Sequence, residues 1–234
     1  MIYNIHHGEG IDGKTDLNRI ASVINKENPD ILLLQEVDVN LERSQKIDIP
    51  TYLSDKTALS YSVFGKNIDI ENGAYGNATL SRFPISTSEN FQFEKIGPEQ
   101  RGILATEISI DGNNLLVLNT HLDHTEGDSE RFLYAEKAQN EILPLYGADT
   151  VLFGGDFNDI PTSRMYQKLL EEFKDAWVVS GNKNGYTIPA NDPSKRIDYI
   201  FFKGDIKPDS TWIPKTEASD HLPVVSDFVW IDDE

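Results

Sequence analysis

Ile31-Leu32-Leu33-Leu34-Gln35-Glu36 sets four aliphatic residues in a row and closes them with an amide and a carboxylate. A short, continuous apolar run is the pattern of a strand buried on both faces. The polar pair then lies at that strand's end. The same form recurs at Tyr3-Asn4-Ile5-His6, Asn119-Thr120-His121-Leu122-Asp123, Gly155-Asp156-Phe157-Asn158, Arg196-Ile197-Asp198-Tyr199 and Ser219-Asp220-His221. Buried strands ending in Asp, Asn, Glu or His deliver those groups to one edge of a sheet. Tips from such distant parts of the chain predict one assembled site.

Working outward, residues 2–6 read as a short strand, and Asp16 as the cap of a helix carrying Leu17, Ile20, Ala21 and Ile24 at helical spacing. Residues 38–60 read as irregular, with one helix near Leu53–Leu59. Strands are expected at 61–64 and 74–81 around a polar loop, 66–73. Further strands are expected at 91–93, 102–110 and 115–119, with Asp111-Gly112-Asn113 as a hairpin turn. Helices at 129–143 and 164–172 and strands at 150–153, 196–202 and 222–230 complete the pattern. Mixed hairpins with a few helices predict a sheet-rich α/β layered sandwich. The 234 residues show no linker or repeat and read as one domain, 1–234.

There is no cysteine, which excludes disulfides and thiolate metal sites. The formal charge is −18, from 21 basic and 39 acidic residues. Such a surface disfavours tight nonspecific binding to nucleic acid, where phosphate neutralisation by Lys and Arg supplies most of the affinity. No stretch approaches the roughly 20 apolar residues of a membrane span. The chain opens almost inside its first strand, so we expect a trimmed leader or anchor and a secreted or cell-envelope location rather than a cytoplasmic one.

The polar tips carry the chemistry, and together they fit metal-assisted phosphoester hydrolysis. Glu36 reads either as a ligand for a hard cation or as half of a salt bridge. Asp156 and Asn158, in Gly-Asp-x-Asn, can orient and deprotonate a water, or can form an Asx-turn. His221 can donate to charge developing on phosphorus if Asp198 keeps it protonated; the alternative is a surface turn. His121 is a catalyst or a satisfied structural histidine. All five histidines lie in or beside these segments. His121-Leu122-Asp123-His124 also matches part of the zinc β-lactamase-like pattern, but Asn119 stands where its first His belongs. Oxygen donors dominate the set and favour Mg²⁺ or Mn²⁺ over zinc. Arg82, Arg101 and Arg131 can each grip a phosphate or form an ion pair.

Taken in order along the chain, these segments resemble the endonuclease/exonuclease/phosphatase superfamily. The matching pieces are Tyr3–His6, Leu34-Gln35-Glu36-Val37, Tyr75-Gly76-Asn77 through Leu80-Ser81-Arg82, Asn119–Leu122, Gly155–Asn158, Arg196–Tyr199 and Ser219–Pro223. The resemblance implies a four-layer α/β/β/α sandwich of two packed mixed sheets with helices outside. It implies Mg²⁺, with Mn²⁺ as substitute, on Asn4, Glu36 and Asp220. It implies catalysis by His121, Asp156, Asn158, Asp198 and His221, and substrate binding by Asn77, Arg82 and Arg101. Tyr75 stands near where deoxyribonuclease-like members carry a glutamate. We therefore expect a monomeric phosphoesterase acting on a small or lipid-derived substrate, near the sphingomyelinase-like branch. A nuclease and a catalytically inactive binding module are the alternatives.

Overall fold

The computed structural model describes residues 1–231, and in it the apolar runs are strands of two mixed sheets. The first sheet comprises β1 (Ile2–Asn4), β2 (Ile31–Val39), β3 (Tyr61–Ile70) and β4 (Gly73–Ser81), in the order β1-β2-β4-β3. β1 and β2 are parallel, joined through the helix α1 (Leu17–Glu27), and the other pairs are antiparallel. The second sheet has the order β5-β6-β7-β8-β10-β9. Its strands are β5 (Ile85–Phe91), β6 (Ile103–Ile110), β7 (Asn113–His121), β8 (Val151–Asp156), β9 (Lys174–Asp175) and β10 (Asp198–Lys203). A two-stranded ribbon of β11 (Ile206–Trp212) and β12 (Val225–Trp230) follows, and Val224 bridges Ile2 at the edge of the first sheet.

Side-chain alternation sorts the apolar residues into three buried layers. Leu32 and Leu34 of β2 face outward, onto Ile20 and Ile24 of α1 and Ile49 and Leu53 of α2 (Ile49–Lys56). Leu33, one residue out of phase, faces the other sheet and meets Ile2, Leu115, Val117 and Ile200. Leu116, Leu118, Phe153 and Phe201 point the opposite way. They pack beneath Tyr134 and Ala135 of α3 (Ser129–Lys137) and Met165 of α5 (Arg164–Leu169). Between these two helices, α3 runs through a π-helical turn at Ala138–Ile142 into α4 (Leu143–Tyr146). Helix, sheet, sheet and helix thus make the four expected layers. Each fully buried Leu or Phe contributes about 1.5–3 kcal/mol relative to exposure. No helix among the described residues is long and apolar enough to cross a membrane.

Asp16 caps α1 as expected, accepting from the Asn18 amide. Several expectations need correction. The segment 66–73 is hairpin, not loop: β3 runs to Ile70 and β4 begins at Gly73. The helix expected near Leu53–Leu59 lies earlier, because Asp48 caps it and Pro50 sits in its first turn. β5 starts at Ile85, where the exposed run Ser86–Glu89 on an edge strand hides the alternation. β11 went unread because Pro208 falls inside it, at a bulge on a ribbon edge, where proline is tolerated.

Candidate active site

Strand register brings the polar tips level. His121 of β7 and Asp198 of β10 both stand opposite Asp156 of β8, the central strand of the three. Asn4 of β1 stands opposite Gln35 of β2. By parity, His121, Asp156, Asp198 and Asn4 all point into the space between the sheets, beyond its apolar filling.

Glu36 would miss this space in a regular strand, since it shares parity with Leu32 and Leu34. A β-bulge corrects this. Between Leu34↔Ala78 and Val37↔Gly76, two residues of β2 oppose one of β4. Glu36 is the extra residue, with φ +57, and Val37 returns to the helix-facing layer. Bulges of this kind re-aim side chains next to active sites. Gln35 and Asn119 anchor it across the sheets: the Gln35 amide donates to Asn119 Oδ1 at 2.7 Å, and Asn119 donates to the carbonyls of Leu34 and Ala78.

The Asn4 amide donates to Glu36 Oε1 at 3.1 Å and to Asp156 Oδ2 at 3.0 Å, so it aligns both carboxylates. Its oxygen accepts from the backbone N–H of His6. Asp156 Oδ1 accepts from the backbone N–H of Asn158 at 2.9 Å. Both His121 Nε2 and His221 Nε2 lie 3.6 Å from Asp156 Oδ2. Burial and then the charge of Asp198 raise the Asp156 carboxyl to about 7, against the opposing pull of His221 and Asn4. A general base poised there suits work near neutral pH.

His221 Nδ1 lies 3.0 Å from Asp198 Oδ2, which also accepts from the Thr187 hydroxyl. Burial opposes charge on this ring, but Asp198, Asp156 and Asp220 outweigh it and raise His221 to about 10. His221 is therefore an imidazolium with Nε2–H turned toward the cleft. His121 is the reverse case: burial, then Arg101, His221 and His124, hold it well below the ordinary histidine value. It is a neutral ring, with Nδ1 facing Arg101 Nη1 at 3.4 Å.

His121, Asp156 and His221 line a cleft of about 310 Å³ with Glu36, Arg43, Ile70, Tyr75, Glu99, Arg101, His124 and Asn158. Arg101 is 2% exposed and reaches His121, His124 and Glu99, the last at 3.1 Å. A guanidinium between His121 and His124 is incompatible with a zinc ion held by that pair. Asn77 is buried, donating to the Gly102 carbonyl, and does not line the cleft. Arg82 is not in the site at all: it pairs with Asp30 and Asn28 at the far end of β2 and β4. Four strand residues separate it from Asn77, so the structure places it away from the cleft where a substrate contact was expected. Arg131 is held by Asp159 and by the Asp123 and Thr125 carbonyls.

The sequence reading missed Arg43, Tyr75, Glu99 and His124 as cleft residues. Arg43 lay in the stretch read as irregular, yet it forms a bidentate pair with the fully buried Asp38, at 2.7 and 2.8 Å, over the Tyr75 ring. For a divalent cation the donor set fits. Glu36, His6 and His7 offer ligand atoms that all lie within 4.8 Å of one another, and Asp220 stands 3.9 Å from His6.

A family model described as "Endonuclease/Exonuclease/phosphatase family" matches residues 1–221. "Uncharacterized protein YbhP" of Escherichia coli K12 is 27% identical, over 97% of this chain and 94% of its own. A 5'-tyrosyl-DNA phosphodiesterase of Caenorhabditis elegans is 30% identical over 79% of this chain, which spans about half (48%) of that relative. Among solved structures, a mannosyl-6-phosphatase of Bacteroides thetaiotaomicron superposes with a TM-score of 0.75 at 19% identity, covering 98% of both chains.

Proposed function

We propose, from the premise that this chain belongs to the endonuclease/exonuclease/phosphatase family and hydrolyses phosphoester bonds, that its substrate is a small or lipid-derived phosphoester. The observation that carries this reading is the cleft's charge pairing. Only two basic side chains with permanent charge, Arg43 and Arg101, line it among the described residues, and each is held by a carboxylate, Asp38 and Glu99. A surface that grips a nucleic-acid backbone needs several unneutralised cations. This cleft offers oriented N–H donors for one phosphoryl group instead.

In this reading Asp156 accepts a proton from the attacking water, which its value near 7 allows. Asn158 spends its amide on the Leu122 carbonyl at 3.0 Å, leaving its side-chain oxygen to hold that water. His221 donates its Nε2–H to the phosphoryl oxygens as charge develops, and Asp198 fixes its tautomer. His121, neutral, donates from Nε2 because Arg101 occupies Nδ1. Glu36, with Asn4 and Asp220 beside it, would hold a divalent cation, for which the resemblance implies Mg²⁺ with Mn²⁺ as substitute. When bound, the ion supplies charge neutralisation and a template for in-line displacement.

A panel assay tests this, with Mg²⁺ or chelator, on p-nitrophenyl phosphate, bis-p-nitrophenyl phosphate, sugar phosphates, sphingomyelin, inositol phosphates and plasmid DNA. We expect cation-dependent turnover of a small or lipid phosphoester. Asp156→Ala and His221→Ala should each lower it by about 10²–10⁴-fold, the scale of positioned acid–base groups. The second reading, processing of nucleic-acid ends, draws on likeness to the tyrosyl-DNA phosphodiesterase. Cleavage of DNA alone would establish it instead.

A further inference from the structure

Two imidazoles that the reaction above leaves unused stand beside Glu36. We infer that His6 and His7, together with Glu36, ligate the divalent cation, and that the site binds a first-row transition ion such as Mn²⁺ more tightly than Mg²⁺. This rests on the reading of the site as cation-dependent.

The geometry begins in the backbone. β1 ends at Asn4, and three consecutive residues then take positive φ: His6 (+43), His7 (+44) and Gly8 (+89). Glu36, at the bulge, has φ +57. Histidine and glutamate rarely enter the left-handed region, and strain of this kind is held at functional sites. The turn is fixed locally. Asn4 Oδ1 accepts from the His6 amide at 3.0 Å, Gly8 N–H donates to the Ile5 carbonyl, and Glu9 N–H donates to the His6 carbonyl. Gly8 also lies against Leu17, where a Cβ would approach Cδ2 to 2.7 Å.

The result is a pair of rings with centroids 4.5 Å apart, packed edge to face. His7 is 7% exposed. Nδ1 of His6 and Nδ1 of His7 are both shut off from solvent, and neither has a hydrogen-bond partner among the described residues. A buried nitrogen without a partner is costly to desolvate, and coordination to an ion through that nitrogen would satisfy it. The three ligand atoms lie within 4.8 Å of one another. Three donors sharing one ion at bonds of about 2.0–2.2 Å lie roughly 3–4 Å apart, so the set is close enough to converge on an ion with side-chain adjustment.

A second trio, Asp156, Asp198 and His221, is equally close. It is already satisfied, because His221 Nδ1 is bonded to Asp198. Its Nε2 faces Asp156 as a charged donor. The unpartnered nitrogens are at His6 and His7 alone in these two clusters. Two imidazoles and one carboxylate are donors for Mn²⁺, Fe²⁺, Co²⁺ or Zn²⁺; Mg²⁺ prefers an all-oxygen set with retained water.

The test uses metal-free protein titrated with Mn²⁺ and with Mg²⁺. Calorimetry gives the affinities, and electron spin-echo modulation of bound Mn²⁺ reports directly bonded nitrogen. We expect Mn²⁺ to bind about 10-fold or more tighter than Mg²⁺, with imidazole ¹⁴N modulation. His6→Asn and His7→Asn keep a residue that tolerates positive φ. Each should weaken Mn²⁺ by about 10-fold or more and Mg²⁺ by far less. If either variant fails to fold, the wild-type nitrogen signal still decides. Mn²⁺ bound without nitrogen coupling would overturn the inference and leave cation-dependent hydrolysis standing. No ion bound, with turnover that survives chelation, would remove the reading beneath it as well.

Discussion

Two histidines a few ångströms apart hold opposite charge states because their neighbours differ. Asp198, Asp156 and Asp220 outweigh burial at His221; Arg101 adds to burial at His121. The consequence is a titration pattern measurable in metal-free protein by histidine NMR. His221 should stay protonated from pH 6 to about 9 and titrate near 10, and His121 should stay neutral well below pH 6.5. With the Asp156 carboxyl raised above the ordinary carboxylate range by burial and Asp198, kcat/KM should rise with pH on the acid side and fall only as His221 loses its proton. Asp198→Asn should move that alkaline limb down by roughly 1–3 units, the effect of one adjacent opposite charge. The linkage to stability has the same sign. The folded value of His221 lies above the unfolded 6.5, so its contribution is complete below pH 6.5 and is lost as pH rises through about 10. Asp198→Asn should therefore flatten the fall in melting temperature between pH 7 and 10. A His221 that titrates near 6.5 in the wild type would contradict the whole assignment.

At the level of elements, one bulge decides whether the site exists. Without the extra residue in β2, Glu36 would lie on the helix-facing side and Val37 would turn toward the opposite sheet. Asn119 sustains the bulge from the other sheet, satisfying two carbonyls of the first. Asn119→Ala leaves those carbonyls and the Gln35 amide buried without it, at a cost on the order of 2–4 kcal/mol. We expect a lower denaturation midpoint together with a larger loss of cation affinity than a comparable core truncation, Leu118→Ala, produces. Equal effects of the two on cation binding would argue that Asn119 only packs. The same bulge marks what the sequence could and could not disclose. Apolar runs ending in polar tips located β1, β2, β7, β8 and β10, because burial on both faces leaves a readable pattern. They also named His121, Asp156 and Asp198, which register then aligned. They could not place Arg82 or Arg43. Whether an arginine reaches the cleft depends on strand direction and on which end of β4 faces the site, and neither leaves a local signal. His6 and His7 were visible only as histidines near a strand end; their positive φ is a property of the fold.

At the scale of the whole molecule, charge sets what can approach. A chain of net charge −18 repels anions, and the two arginines of the cleft are locally neutralised by Asp38 and Glu99. Salt acts on these two facts with a definite sign. For a polyanion held by Z basic contacts, log K falls with log salt at a slope of about −0.9Z. A protein that instead repels a small anionic substrate at long range gains from screening, whose length is about 10 Å at 0.1 M. With saturating cation, KM for a small phosphoester should therefore stay level or fall between 50 and 200 mM KCl, as roughly one Debye length comes to shield the acidic surface. Duplex DNA should show no measurable binding across that range. A KM that climbs steeply with salt would mean that basic contacts outside the cleft grip the substrate, and the case for a small phosphoester would yield to a polyanion. Glu99→Gln sharpens the comparison. It releases the Arg101 guanidinium from its partner and should lower KM for anionic substrates while making that KM newly salt-sensitive, a change that repulsion alone cannot produce.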